Sequence, residues 1–283
     1  MNTFRRLIHS SLYSQHASRT PHSLSSMKPA FVLDIDGVLM RGKHPIPSAI
    51  YTMQNLLHFE SGLPKYPLLF MTNGGGHTER YRAHKLSSTF NVKIHPEQII
   101  LSHSPLQHLA QYYNQYSSTH SVLIIGHKNC AQVAASYGFQ RPISSEDLAK
   151  CNPLSVPLSN HILDSTIEPH ENPKIHFTHE YLETTSQLPV KAVFVMHDSH
   201  DWGRDIQLIV DVLTIQDARP SGTHSESQLD LNNSNKVEVY FCNPDFIWPN
   251  ETNVARFGQG AFKSALKCVY KEYTGRELSY KQF

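Results

Sequence analysis

An α/β fold built on mostly parallel strands is what this 283-residue sequence predicts. From Phe31 onward, short apolar runs alternate with stretches of helical periodicity, the pattern of βαβ units. Hydrophobic residues make up 39% of the chain, enough for a proper core. No internal repeat is visible, so the alternation reads as a sheet with crossover helices rather than as a stacked array.

The elements follow in order. Phe31-Val32-Leu33 forms the first strand and runs into Asp34. A helix starts near Pro47, with Ile50, Met53, Leu56 and Leu57 at helical spacing. Pro67 to Met71 is the next strand and ends in Thr72-Asn73-Gly74-Gly75-Gly76. A helix is expected from about Thr78 to Phe90, then a short strand at Ile99-Ile100-Leu101. Ser104-Pro105 supplies a helix cap and first position. SVLIIG, 121–126, is a buried strand, followed by a helix ending at Tyr137-Gly138. Residues 152–173, rich in Pro, Ser, Asn and His, read as a long loop. VKAVFVM, 190–196, is a strand, and Asp205 to Leu213 a helix. Residues 216–236 are polar and low in complexity, the composition of a surface insertion. Val237 to Phe241 is a strand, and Gln259 to Tyr273 an amphipathic helix stopped by Gly275.

Composition excludes several classes. A net charge of +1 gives no electrostatic reason to expect a nucleic-acid partner. No apolar run approaches the roughly 20 residues of a membrane-spanning helix. Four dispersed cysteines without a CxxC pair favour reduced thiols. Residues 1–29 contain no acid, several Arg and many Ser, with Phe4, Leu7, Ile8 and Leu12 on one potential helix face. That is the composition of a mitochondrial transit peptide, pointing to the matrix, with a polar tail of a cytoplasmic protein as the alternative.

The chemistry concentrates in DIDG, 34–37, directly after the first strand. Ligands of a parallel sheet bind beyond the carboxyl ends of its strands. A carboxylate there can attack phosphorus, and a second one can donate and retrieve a proton. Asp34 and Asp36 repel each other, so a hard cation such as Mg²⁺ is expected between them and a substrate phosphate. Gly37 permits the sharp turn after the pair. Thr72 adds a hydroxyl donor for a phosphoryl oxygen, and Asn73 and Gly74 begin a run of open backbone amides.

DIDGVL and the later TNGGG resemble the first two motifs of the haloacid dehalogenase (HAD) superfamily, subclass IIA, nearest its cat-eye-syndrome-region-5-like branch. SHSP (102–105), IIG, YGF, DW (201–202), NPD (243–245) and FGQGAFKSAL (257–266) are lesser matches. The resemblance implies a Rossmann-like core with a large inserted α/β cap of the C2 type. Residues 30–101 would be the first part of the core, 102–274 the cap, and 275–283 the start of the return to the core. It further implies a Mg²⁺-dependent phosphohydrolase of small phosphorylated metabolites. Asp34 would be the nucleophile, Asp36 the general acid and base, both would hold the metal, and Thr72, Asn73 and Gly74 would bind the phosphate. Homodimer contacts through the cap are a further implication.

Two family phrases are missing: a lysine in GKP and an acidic GDxxxxD. Lys281 is close to the expected place but sits in a different phrase. The resemblance therefore implies a C-terminally truncated chain, an incomplete core with the first strand at an exposed edge, weakened Mg²⁺ binding and impaired or absent phosphatase activity. The alternative is a non-catalytic HAD-like binding or regulatory protein.

Other signals have plain readings. HFTHE (176–180) and HDSHD (197–201) have ligand-like spacing, but zinc sites normally show clearer sets, so solvated or capping histidines are expected. Gly258-Gln259-Gly260 lacks the third glycine of a dinucleotide loop and reads as a close-packed helix start. Arg41 and Lys43 are substrate contacts or loop surface.

Overall fold

The computed structural model describes residues 29–126, 129–158, 177–214, 237–250 and 254–283. The transit-peptide composition of 1–28 and the polar stretch 216–236 lie outside the described residues, as does most of 152–173.

The first unit begins with β1 (Phe31–Asp34), the small hairpin β2 (Met40–Arg41) and β3 (His44–Pro45), and α1 (Pro47–Tyr51). Pro47 opens α1 at a position where its missing N–H costs nothing. The helix then widens into a π-helical stretch, Thr52–Leu57. The change of period leaves Met53 and Leu57 buried but Leu56 exposed, so the expected apolar face is only partly realised. Next come β4 (Leu68–Met71), α2 (Glu79–Phe90) and β5 (Ile99–Ile100). Thr78 caps α2 by accepting the Tyr81 N–H at 3.3 Å, and Asn91, with φ of 52°, closes it.

The three strands form a parallel sheet in the order β1-β4-β5. In register, Leu33 pairs with Phe70 and Asp34 with Met71. Phe31, Leu33, Leu68 and Phe70 face a core containing Met53, Leu86 and Phe90. Val32, Asp34 and Met71 point the other way and are exposed. Among the described residues β1 is thus an edge strand with one open face.

The second unit holds α3 (Ala110–Asn114), β6 (Ser121–Ile125), α4 (Cys130–Ser136), β7 (Pro142–Ser144) and α5 (Ser145–Cys151). It continues with α6 (His179–Ser186), β8 (Val190–Val195), α7 (Trp202–Thr214) and β9 (Glu238–Phe241). β10 (Ile247–Trp248), β11 (Arg256–Phe257), α8 (Gln259–Thr274) and β12 (Lys281–Gln282) complete it. Five parallel strands lie in the order β12-β9-β8-β6-β7. Side chains alternate across it. Leu123, Ile125, Val193, Val195 and Phe241 join Leu208 and Phe262 on one face. Val122, Ile124, Phe194 and Tyr240 join Leu106 and Val133 on the other. Burial on both faces explains why these strands read as continuous apolar runs.

Three expectations need correction. Ser104 does not cap: the turn Ser104–Leu109 is 3₁₀, preceded by His103, and the Ser104 hydroxyl instead donates to Glu79. Helices α5 and α6 and the short strand β7 were not expected in the less regular middle of the chain; Ser144 and Thr178 cap the two helices. Residues 275–283 do not turn toward the first sheet. Lys281 and Gln282 pair with Tyr240 and Phe241 of β9, because Leu278 is buried in the larger core and Tyr280 packs edge-on to Phe241 at 5.5 Å. Lys281 also pairs with Glu238 at 2.5 Å.

Candidate active site

Apolar β1 delivers its carboxylates to the C-terminal end of a parallel sheet, where such sheets present ligands. Asp34 closes the strand, and its Oδ1 accepts the Ile35 N–H at 2.8 Å. Gly37, with φ of 90°, reverses the chain, and its N–H donates to the Met40 carbonyl at 2.7 Å. The turn holds Asp36 beside the end of β4. Thr72 lies buried just past β4, its N–H fixed to the Ile100 carbonyl at 3.0 Å. From there its hydroxyl donates to Asp36 Oδ2 at 2.6 Å, and it accepts the Gly74 N–H at 3.0 Å.

Gly74 has a steric reason to be glycine. A Cβ there would lie 2.9 Å from Asp36 Oδ2, 3.2 Å from Arg82 Nη2 and 3.3 Å from Thr72 Oγ1. Its absence leaves a small polar space between a carboxylate, a hydroxyl and a guanidinium. Asp34 titrates above the usual aspartate range. Partial burial is the main cause, offset by the Ile35 N–H and reinforced by the negative charges of Asp36 and Asp245.

Asp34, Asp36, Thr72 and Gly74 therefore converge, while the Asn73 side chain turns away to the second unit. Its Nδ2 donates to Asp245 Oδ2 at 2.9 Å, and its carbonyl accepts from Asn243 Nδ2 at 3.1 Å. The NPD loop is built for this contact. Asn243 Oδ1 accepts the Asp245 N–H at 2.7 Å. Buried Gln259 accepts the N–H groups of Cys242 and Asn243, both at 2.8 Å. The Gly260 N–H donates to the Asp245 carbonyl at 2.8 Å. The reading of GQG as a close-packed helix start holds, and the packing serves the site.

Of the HDSHD histidines, His197 is not solvated, contrary to expectation. It packs against Gly76 and Gly126 at the junction of the units, and burial pushes its pKa down to about 4. His103, to which the sequence assigns no role, is fully buried beside the same glycine run, and burial pushes it down to about 3. In HFTHE, His176 lies outside the described residues, and His179 is exposed near Glu183 at 3.4 Å. Arg41 and Lys43 are exposed on and beside the β2–β3 hairpin. Arg82, Asn243 and Asp245 are the polar residues of the site that sequence reasoning gave no role. Only the NPD phrase offered a signal for two of them.

The Asn243 contact has a measurable cost. Asn243→Ala removes its bond to the Asn73 carbonyl and is expected to lower stability by about 1 kcal/mol, read from the denaturant midpoint. An unchanged midpoint would show that the junction does not depend on it.

Comparison with known proteins agrees with this layout. Residues 31–140 match the family described as haloacid dehalogenase-like hydrolase. A mitochondrial hydrolase of Saccharomyces cerevisiae is 34% identical over 257 residues, covering 90% of this chain and 65% of that protein. A cardiolipin synthase (CMP-forming)/mitochondrial hydrolase fusion protein of Schizosaccharomyces pombe is 30% identical over 251 residues, covering 86% and 37%. The chain thus spans less than two thirds of either relative. A possible sugar phosphatase of the HAD superfamily from Cytophaga hutchinsonii shares the fold, with a TM-score of 0.50, 13% identity and coverage of 88% and 65%. Residues 31–140, which hold the two aspartates at the end of β1 and Thr72 at the end of the adjacent strand, are thus similar to the haloacid dehalogenase-like hydrolases.

Proposed function

We propose that the chain carries a phosphohydrolase site for small phosphorylated metabolites, with Asp34 as nucleophile. The observation that carries this reading is the Thr72–Asp36 hydrogen bond of 2.6 Å at the end of β1. It holds one carboxylate in place as proton donor while leaving Asp34 free to attack. Asp34 attacks phosphorus, the P–O ester bond breaks, and Asp36 gives its proton to the departing alkoxide. Asp36, now ionised, takes a proton from water as that water attacks the aspartyl-phosphate, releasing inorganic phosphate and restoring both carboxyl groups.

The residues fit a magnesium ion. The donor set is all oxygen, and Mg²⁺ needs only one or two carboxylates beside water and substrate phosphate. Asp34 and Asp36 would hold it; when bound it offsets the charge that these carboxylates and the phosphate bring together. Among the described residues, neither aspartate has an ion-pair partner from lysine or arginine. The second unit, taken as the 102–274 cap, covers the site and selects the leaving group. Both curated relatives bear mitochondrial names; together with the acid-free residues 1–29 this supports placement in the mitochondrial matrix.

Phosphate release from a panel of phosphomonoesters, with and without Mg²⁺, tests the reading. Thr72→Val is expected to lower kcat/KM about 10- to 100-fold, the worth of a hydrogen bond to a charged group. Turnover indifferent to Thr72 would place the chemistry elsewhere.

The site also has an expected pH signature. Asp34 must be ionised to attack, and its pKa is raised in part by Asp245. Removing that charge with Asp245→Asn should therefore move the acid limb of kcat/KM to lower pH. A limb that stays in place, or moves up, contradicts this assignment.

A further inference from the structure

Resting on that phosphohydrolase reading, we propose that Arg82 is the cation that binds the substrate's phosphoryl group beside Asp34 and Asp36. Arg82 stands in the first turns of α2, an element fixed at its start by the Thr78 cap. Its Nη2 reaches the small space over Gly74 that Asp36 Oδ2 and Thr72 Oγ1 also border. The guanidinium carries five N–H donors in a planar fork suited to phosphate oxygens. Among the described residues its side chain makes no hydrogen bond and no ion pair, and its buried Nε lacks a partner.

The usual partner is engaged elsewhere. Glu79 lies one turn earlier on α2, where acid and base normally pair. Its Oε1 instead accepts from Ser104 at 2.5 Å, Tyr137 at 2.7 Å and Gln107 at 3.2 Å. These bonds turn the acid toward the second unit and leave the guanidinium facing the glycine run. Its imidazole neighbours His103 and His197, held neutral mainly by burial, bring no negative charge to it. A partly buried cation without an anion is costly. A phosphomonoester dianion at Asp34 supplies the missing charge and accepts the free donors.

The test uses the 283-residue chain with Mg²⁺ and inorganic phosphate as probe, read by titration calorimetry. Arg82→Gln is expected to weaken phosphate binding about tenfold or more, and Arg82→Lys by less, since lysine keeps the charge and loses the fork. Thr72→Val is expected to weaken it as well. The melting temperature of Arg82→Gln should be unchanged or higher, a result that a structural role for the arginine would not give. Phosphate binding weakened by Thr72→Val but untouched by Arg82→Gln overturns the role of Arg82 and leaves the site reading standing. Absence of phosphate binding, or binding indifferent to both substitutions, overturns the two together.

Discussion

Asp34→Asn is expected to remove phosphoryl transfer altogether, lowering any Mg²⁺-dependent turnover by about three orders of magnitude or more. The amide is nearly isosteric, so the strand end and the Thr72–Asp36 bond should persist. What disappears is the anionic oxygen that forms the bond to phosphorus. Asp36→Asn should cost about 10²–10⁴-fold, the range of a lost general acid and base, and should be milder for esters with good leaving groups, which need no proton. Asp34→Asn should show no such dependence on leaving group. Stability points the opposite way. Burial and two neighbouring carboxylates hold the Asp34 pKa up, so its ionised form is disfavoured in the folded chain above that pKa. The Asp34→Asn chain should then melt at the same temperature or slightly higher at neutral pH. A large fall in melting temperature would mean that Asp34 is structural.

Gly260→Ala has the largest expected effect on stability. A Cβ there would strike the Pro244 carbonyl oxygen and lie 2.9 Å from the carbonyl carbon and oxygen of Asp245. All three are backbone atoms, so no rotamer change relieves the clash. Overpacking of this kind costs about 1–3 kcal/mol, which for a chain of this size lowers the melting temperature by roughly 2–5 °C. Because Asn243 and Asp245 hold Asn73 from the same loop, phosphate binding should weaken too. Gly203→Ala is the control: it lies in α7 with only Asp201 Oδ1 near its Cβ, at 3.6 Å. Alanine is the better helix former, so that variant should be neutral or slightly stabilised. Equal losses at both glycines would show that the close approach at Gly260 is not the cause.

Local chemistry makes much of this site legible in the amino-acid order alone. DIDG carries its meaning in four consecutive residues, since an apolar strand, a charge pair and a turn glycine are each local. Thr72 can be tied to it because successive parallel strands present their carboxyl ends together. The buried strands β6, β8 and β9 are legible for a related reason: both faces are covered, so the runs are apolar throughout.

What escapes such a reading is set by tertiary placement. Arg82 looks like any helix-surface arginine, and its character depends on where Glu79 turns, which Ser104, Gln107 and Tyr137 decide. Asn73 meets Asp245 across 172 positions of sequence, and no local pattern reports that contact. His197 reads as a solvated or capping histidine because it stands just past a strand end and before the polar DSHD; its packing against Gly76 and Gly126 comes from other elements. The Lys281–Gln282 strand is only two residues long, too short for periodicity to signal, and its place is set by Leu278 and Tyr280 packing into the larger core.

The most direct test of the account is chemical trapping of the phosphorylated residue. The chain is incubated with Mg²⁺ and a reactive phosphomonoester, reduced with borohydride, digested and mapped by mass spectrometry. Borohydride converts an aspartyl-phosphate to homoserine, so the modified position is read directly. The account predicts conversion at Asp34, none at Asp36, and none in the Asp34→Asn chain. Conversion at any other carboxylate, or phosphate release with no trapped residue, would contradict it.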